Sequence, residues 1–375
     1  MSPGALAGIT VLEFAGIGPG PFACGLLADM GAAVIRVERP QGGGSLPGGL
    51  DRIGVTDRII LEADVKSEGG LALVRRLFQH VDVVVEGFRP GVATRLGIGP
   101  MSAMEANPRI VYASITGWGQ DGPYASMAGH DINYIGLSGV LAAIGGGAPT
   151  PPLNLVGDYG GGSMFAVAGI LAALVKRDRS GEGSVVDVAM VDGSAKLLEP
   201  IRALYNAGVW SEQRASNLLD GGAPFYRTYR TADGGYVAVG ALEPAFYDAF
   251  IRGLGLDPAE LPDRMDPSRW SELEKRFSAV FGTRTRDAWA EVFEGTDACV
   301  TPVLTMSEVG DHPHNAVRNA LRMTDEGPMP AAAPRFAGHE ASPTNVATVL
   351  ETLVALGLPK DAAERLVEEG TAYRV

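Results

Sequence analysis

Two short glycine-rich segments carry the side chains best suited to acid–base chemistry in this sequence. His130 stands in AGHDINY (128–134), where the preceding glycine lets another molecule approach the imidazole closely. Asp158 stands in NLVGDYGGG (154–162), ahead of a long apolar run. An imidazole and a carboxylate can each take or give a proton when a site brings their pKa values together. These two residues therefore indicate proton transfer.

The same residue types also have structural interpretations. Asp158 precedes a predicted helix, where a carboxylate can cap the helix and be stabilised by its N-terminus. Glu243 precedes another predicted helix and has the same interpretation. His80 ends a helix-like stretch, and the pair His312 and His314 is typical of a solvated loop rather than of a metal site. Residue types alone leave capping and catalysis open.

A glycine-rich turn at 16–20 joins the first predicted strand to a helix, and Glu38 ends the next strand about 20 residues later. This arrangement invites a dinucleotide interpretation, with pyrophosphate at the helix N-terminus. However, Pro21 occupies the place that the fingerprint reserves for its third glycine, and proline has no amide N–H to offer a phosphate. The sequence favours a tight turn that approaches some other ligand.

The elements that would position these residues alternate between strand and helix in the first half of the chain. An apolar helix is predicted over 160–177. Apolar strands are predicted at 9–14, 33–38, 81–85, 109–115 and 184–190. This alternation indicates an α/β fold with a parallel sheet.

The character of the sequence changes near residue 190, and 375 residues exceed the usual size of one domain. We predict a large domain over 1–190 that is completed by 330–375, and a linker over 191–224. A small α+β domain is predicted over 225–320, with a hairpin around the turn at 232–235. A linker and C-terminal helices that return to the large domain are predicted over 321–375.

Composition and charge exclude several classes of protein. The net charge of −13 argues against general nucleic-acid binding, although a local basic pocket remains compatible with it. Two cysteines, Cys24 and Cys299, exclude a disulfide framework and a cysteine-based zinc site. The N-terminus lacks a basic signal region, and the apolar stretch 164–175 is too short to span a bilayer. We expect a cytoplasmic protein with no metal and no membrane or nucleic-acid partner.

Five segments resemble the α-methylacyl-CoA racemases of the family III CoA-transferase superfamily. They are EFAGIGPGP (13–21), EGFRPGV (86–92), AGHDINY (128–134), NLVGDYGGG (154–162) and GALEPAFY (240–247). The resemblance runs nearly end to end with the segments in the same order. It implies an interlocked homodimer in which each chain has a Rossmann-like large domain and a small α+β domain. The active site is then expected between the large domain of one chain and the small domain of the other.

The resemblance also implies roles for individual residues. His130 and Asp158 match the acid/base pair, and Glu243 matches a glutamate that hydrogen-bonds the catalytic histidine across the interface. The backbone amide of Asp131 matches the group that holds the thioester oxygen. The residues implied as contacts of CoA are Ile17, Arg39, Arg89 and Tyr134.

The implied activity is interconversion of (2R)- and (2S)-2-methylacyl-CoA thioesters by 1,1-proton transfer through an enolate. CoA is part of the substrate, so no separate cofactor is expected. The alternatives are a family III CoA-transferase with Asp158 as a covalent nucleophile, and an inactive CoA-ester-binding protein. His130 favours the racemase, because a transferase needs no second acid/base group there.

The acyl chain is not indicated by the sequence. Met127 and Met164 are candidates to line it, although Met164 has a core interpretation as well. Phe22 stands where close bacterial relatives carry histidine, and the segment between His130 and Asp158 is shorter than theirs.

Overall fold

A computed structural model describes residues 4–40, 55, 58–324, 327–337 and 348–374. The chain forms two units. Unit 1 comprises Met1–Val140, Pro152–Glu199 and Ala332–Val375, and unit 2 comprises Leu141–Pro151 and Pro200–Ala331. The bounds differ from the predicted domains in that 141–151, 200–224 and 321–331 belong to unit 2.

Twelve strands and fifteen α-helices occur in the described residues. The strands are β1 (Thr10–Phe14), β2 (Ala33–Glu38), β3 (Ile59–Glu62), β4 (Val83–Glu86), β5 (Val111–Thr116), β6 (Ser184–Ala189), β7 (Tyr226–Arg230), β8 (Tyr236–Gly240), β9 (Val300–Pro302), β10 (Leu321–Thr324), β11 (Gly327–Pro330) and β12 (Ala372–Arg374). The helices are α1 (Pro19–Asp29), α2 (Glu68–Phe78), α3 (Val92–Arg95), α4 (Pro100–Ala106), α5 (Asp131–Ser138), α6 (Val140–Ala143), α7 (Phe165–Ser180), α8 (Met190–Leu197), α9 (Glu199–Asn206), α10 (Pro244–Leu254), α11 (Trp270–Phe281), α12 (Arg286–Phe293), α13 (Pro313–Val317), α14 (Val349–Ala355) and α15 (Lys360–Glu368). A π-helix spans Leu155–Met164.

Unit 1 is built on a seven-stranded sheet in the order β12-β3-β2-β1-β4-β5-β6. All neighbours pair in parallel except β12, which runs antiparallel to β3. The predicted α/β class with a parallel sheet is therefore confirmed. Because the strand order reverses direction at β1 and β4, their carboxyl ends form the switch point at which such sheets bind ligands.

Apolar side chains cover both faces of this sheet, as expected for buried parallel strands. One face packs Leu12, Ile35 and Val84 with residues of α2, α14 and α15. The other packs Val11 and Val34 with residues of α1 and α7. Alternate residues of β1 and β2 thus enter different cores, which fixes the register of each strand.

Unit 2 has a core dominated by aromatic rings. The strands β7, β8 and β9 form an antiparallel sheet, with the predicted hairpin between β7 and β8. Helices α10, α11 and α12 bury Phe250, Phe277 and Trp289 against it. Phe250 and Phe277 meet edge to face at a centroid distance of 5.1 Å, a geometry that aromatic pairs prefer.

Three elements differ from the prediction. The apolar helix predicted over 160–177 begins earlier, as the π-helix, and continues as α7 to Ser180. The predicted linker 191–224 contains most of α8 and all of α9. The predicted linker after 320 begins with the hairpin of β10 and β11.

The run Leu155–Ser180 covers 26 residues and, by length and composition alone, is long and apolar enough to cross a membrane. The helical run is therefore longer than the apolar stretch 164–175, from which no membrane span was expected. Helices in the core of water-soluble proteins pass the same test, and 44% of the most apolar window is buried. Ala166, Ile170 and Ala173 pack in the core beside the sheet, and this burial accounts for the apolar composition.

Candidate active site

The glycine-rich turn after β1 lies against Asp158. Gly18 has a φ of +68°, a conformation that glycine adopts without strain. A Cβ atom at Gly18 would stand 3.5 Å from Oδ2 of Asp158. Ile17, next to it, keeps 40% of its surface exposed. The turn therefore passes close to the Asp158 carboxylate at the carboxyl end of β1 and carries an exposed apolar side chain, Ile17.

Asp158 lies inside the π-helix and not at its N-cap, so the capping interpretation is wrong. Its Oδ2 accepts a hydrogen bond from the side-chain amide of Asn154 at 3.1 Å. Burial raises the pKa of the Asp158 carboxyl group, the negative charge of Asp131 raises it further, and the Asn154 bond and His130 lower it. A carboxyl group of raised pKa is better suited to exchange protons with a weakly basic group such as an imidazole.

His130 is the N-cap of α5 and is exposed. The Asn133 side chain accepts a hydrogen bond from the His130 backbone N–H at 3.1 Å, and the Asn133 N–H donates to the His130 carbonyl at 2.8 Å. These two bonds fix the backbone on which the imidazole stands. Asp131 follows at the first helical position, where N–H groups have no acceptor within the helix.

The side chain of Asp131 connects the two proton-transfer candidates. Its Oδ1 accepts the backbone N–H of Asp158 at 2.8 Å, while Asp131 itself directly follows His130. A Cβ atom at Gly157 would come within 2.4 Å of this oxygen, so the approach requires glycine there. Asp131 is only 5% exposed, and its buried Oδ2 has no hydrogen-bond partner among the residues that the structure describes. The start of α5 and the π-helix are thus joined through one buried carboxylate.

Tyr134 is buried, and its phenol donates a hydrogen bond to the carbonyl of Gly129. Its ring meets Trp118 edge to face at 4.8 Å. Burial, followed by the charge of Asp158, raises the Tyr134 pKa to about 12, against the opposing effect of Arg89. The hydroxyl therefore stays protonated and holds the backbone just before His130.

Two of the predicted CoA contacts are exposed arginines at the carboxyl edge of the sheet. Arg39 follows β2, and Arg89 follows β4. The turn before Arg89 is held by Glu86, whose carboxylate accepts the Phe88 N–H at 2.6 Å. This edge therefore offers positive charge in a chain that is acidic overall.

Glu243 belongs to unit 2. It is the exposed N-cap of α10, yet its side chain makes no capping hydrogen bond, so its capping interpretation is wrong. Its charge helps to raise the pKa of the Cys299 thiol, after the larger effect of burial. The carboxylate is therefore presented to solvent at the start of α10.

Met127 and Met164 are each about half exposed, at 50% and 52%. The core interpretation of Met164 is therefore wrong, while lining of an acyl chain stays a prediction. Phe22 packs against Tyr159 at a centroid distance of 4.7 Å. The described residues contain no group of three or more His, Cys, Asp or Glu side chains that could hold a metal ion.

The contacts of two side chains with Asp158, those of Asn154 and Asp131, were not predicted from the sequence. Asn154 lies in one of the quoted segments, four residues before Asp158, and that spacing was the signal for its contact with the carboxylate. For the side chain of Asp131 there was no comparable signal, because its partner is 27 residues away.

Comparisons with known proteins give consistent matches. The family model described as CoA-transferase family III matches residues 6–348. The chain is 46% identical to the human alpha-methylacyl-CoA racemase over 91% of this chain and 88% of that protein. It is 45% identical to the mouse alpha-methylacyl-CoA racemase over 88% of this chain and 85% of that one. A crystal structure of a CAIB/BAIF family protein from Brucella suis matches with a TM-score of 0.74 and 28% identity, covering 90% of this chain and 94% of the other.

Proposed function

Because the chain belongs to CoA-transferase family III and is nearly half identical to two α-methylacyl-CoA racemases, we propose that it is an isomerase that interconverts (2R)- and (2S)-2-methylacyl-CoA thioesters. The family resemblance drawn from the sequence segments is confirmed. The observation that carries the chemistry is the bond between Asp131 and the Asp158 amide, which joins the carboxylate segment to the helix that starts after His130.

Racemisation at C2 needs one acid/base group on each face of a planar enolate. We propose that His130 removes the C2 proton of the (2S) ester and that Asp158 then protonates the enolate on the opposite face. For the (2R) ester the two residues exchange these roles. At any moment one of the two must be protonated and the other not. The raised pKa of Asp158 narrows the gap between a carboxyl group and an imidazole, as this exchange requires.

The negative charge that forms on the thioester oxygen needs a donor. We propose the backbone N–H of Asp131, which stands at the first position of α5. The first N–H groups of a helix are unpaired within it, and its dipole favours negative charge there. One such donor stabilises a developing oxyanion by about 3 kcal/mol.

We further propose a homodimer in which Glu243 of one protomer supports the charged form of His130 in the other. The support is that Glu243 is exposed and is not used as a cap by its own helix. A carboxylate beside an imidazole favours the imidazolium.

Exchange of the C2 proton in heavy water tests the proposed function. The wild-type protein is expected to bring deuterium to C2 from either epimer of a 2-methylacyl-CoA and to equilibrate the two. Absence of exchange would overturn the proposal. Capture of the acyl group from Asp158 by hydroxylamine, without C2 exchange, would instead identify a CoA-transferase, in which the aspartate attacks the thioester.

Asp131→Asn is expected to shift the pH profile of kcat/KM for the 2R epimer to lower pH. The substitution keeps an oxygen that can accept the Asp158 N–H but removes a negative charge that raises the Asp158 pKa. Asp158 must be deprotonated to act as the base, so the acidic limb of kcat/KM for the 2R epimer moves to lower pH. The measurement is the rate of C2 exchange as a function of pH.

Asn154→Ala is the matched variant and is expected to shift the Asp158 pKa in the opposite direction. The Asn154 amide lowers the Asp158 pKa by donating to the carboxylate, so its loss is expected to move the same limb to higher pH. His130 and Tyr134 also face Asp158 and are unchanged in both variants. If the acidic limb of the pH profile is the same in both variants as in wild type, Asp158 is not the base that titrates there.

Arg39→Ala and Arg89→Ala are each expected to raise KM for CoA esters about tenfold, because each removes a charged contact to phosphate. The dependence of KM on salt is expected to weaken as well. Initial rates at several ionic strengths check this. Arg179→Ala, an exposed arginine at the end of α7, is the control and is expected to behave as wild type. A KM equal to that of wild type would exclude the arginine concerned from the CoA site.

A further inference from the structure

Among the described residues, a group of four neighbouring charged side chains with no role described above is buried in the core of unit 1. Glu13 is fully buried, and Arg36, Glu38 and Arg58 are 1%, 6% and 2% exposed. Two of the four are negative and two are positive. Burying charged groups costs desolvation free energy even when they are paired. Their contacts show which part of the chain these residues hold in place.

The four charges form one connected network centred on Glu13. Arg36 is the neighbour of Glu13 on the adjacent strand and donates to its Oε1. Arg36 also donates through Nε to Glu38 at 2.8 Å. Arg58 donates through Nε to the second carboxylate oxygen of Glu13, at 2.8 Å. Glu13 thus fixes both guanidinium groups.

Each guanidinium group then reaches the turn that faces Asp158. Nη2 of Arg36 donates to the carbonyl of Gly16 at 3.3 Å. Nη2 of Arg58 donates to the carbonyl of Pro21. These two carbonyls are the two ends of the segment 16–21, which carries Ile17 and Gly18. The network therefore holds the turn at both of its ends.

The π-helix holds the same turn at its middle. Oγ of Ser163, a fully buried residue, donates to the carbonyl of Pro19 at 2.8 Å. A Cβ atom at Gly18 would stand 3.5 Å from the Asp158 carboxylate, so the turn passes close to this group. A shift of the turn would therefore change the space beside Asp158 and its access to water.

We propose that Arg36 and Arg58, held by Glu13, are positioning residues for the proposed racemisation, because they fix the turn 16–21 against Asp158. This inference rests on the proposed function of Asp158. The planar fork of arginine suits the task, since one guanidinium group can bond a carboxylate and a backbone carbonyl at once.

Arg58→Met tests the proposal, and Arg177→Met is its matched control. Arg177 is also a buried arginine in an ion pair, 2.7 Å from Asp82, whose other oxygen accepts the N–H of Thr10 at the first residue of β1. That pair lies at the amino-terminal edge of the same sheet. Both substitutions break a buried ion pair and are expected to lower the urea midpoint of unfolding.

Only Arg58→Met is expected to lower kcat/KM for C2 exchange, by about 10- to 100-fold, because small displacements in a site have effects of this size. It is also expected to move the acidic limb for the 2R epimer to lower pH, because a loosened turn admits water to Asp158 and lowers its raised pKa. His130, Asp131 and Asn154, which also act on Asp158, are unchanged. Arg177→Met should retain the wild-type limb and a kcat/KM within about twofold of wild type.

Arg36→Lys is the second test variant and replaces Arg58→Met if that protein does not fold. It keeps a positive charge beside Glu13 but loses the fork that reaches Gly16, and is expected to reduce kcat/KM about 3- to 10-fold. Wild-type kinetics in whichever of these variants folds, or an equal loss in Arg177→Met, would overturn the positioning role. Absence of exchange in the wild-type protein would instead overturn the proposed function itself.

Discussion

Replacing Asp158 by asparagine is expected to reduce racemisation by about 100- to 10,000-fold, the usual contribution of one general acid–base group. Asparagine keeps the size of the side chain and can still contact Asn154, but it cannot take a proton from the 2R face. His130 remains able to remove the 2S proton and return it to the same face. The (2S) ester is therefore expected to take up deuterium with retention of configuration, while the (2R) ester stays inert.

The measurement for Asp158→Asn is deuterium content at C2 together with the stereochemistry of the recovered ester. Asp187→Asn is the control, because Asp187 is another carboxylate of raised pKa in unit 1 but lies on β6 and accepts the Gln120 N–H. It should retain wild-type rates for both epimers. Equal exchange of both epimers by Asp158→Asn would contradict the assignment of Asp158 to the 2R face.

His130→Ala is expected to give the mirror-image result. Asp158 can still remove the 2R proton and return it, so the (2R) ester should exchange with retention and the (2S) ester should not. Interconversion is again expected to fall about 100- to 10,000-fold. Stability should change little, because His130 is exposed and α5 is held by the bonds between Asn133 and the backbone of residue 130.

His312→Ala is the matched control for this variant. His312 is also the N-cap of a helix, α13, and belongs to unit 2. Exchange by His312→Ala should equal that of wild type. If His130→Ala exchanges the C2 proton of both epimers at the wild-type rate, another group must serve the 2S face.

Much of the sheet was predictable from the sequence because buried parallel strands are short apolar runs between turns. The run Ala33–Glu38 coincides with β2, and β1, β4, β5 and β6 lie within two residues of their predicted bounds. β3 was not predicted, because this strand is only four residues long and follows directly on Arg58. β12, with three residues, is too short for any periodicity to be seen.

The π-helix could not be predicted, because apolar periodicity separates helix from strand but does not separate a π-helix from an α-helix. The glycines around Asp158 were visible, and they suggested access to its carboxylate. Their structural requirement was not visible. Gly161, for example, is buried against Ser194 and Met190 of α8, where a Cβ atom would come within 2.8 Å of backbone atoms.

Residue types and family resemblance predicted the candidate site, but they did not predict the buried charged network that holds the turn 16–21. Glu13 and Arg36 are single charges inside otherwise apolar strands, TVLEF and AVIRVE. Opposite charges at matching positions of two neighbouring buried strands predict a pair. The contribution of Arg58 had no such signal, since its contacts with Glu13 and Pro21 span 45 and 37 residues.

The three-residue strand β12 determines how the large sheet ends. Without it, β3 would expose its row of N–H and C=O groups to any extended chain, and such edges template aggregation. β12 runs antiparallel over Leu61, Ile60 and Ile59 and occupies those groups. The new edge is too short to recruit a further strand of useful length. Protection of this edge from pairing with another extended chain thus depends on Ala372–Arg374.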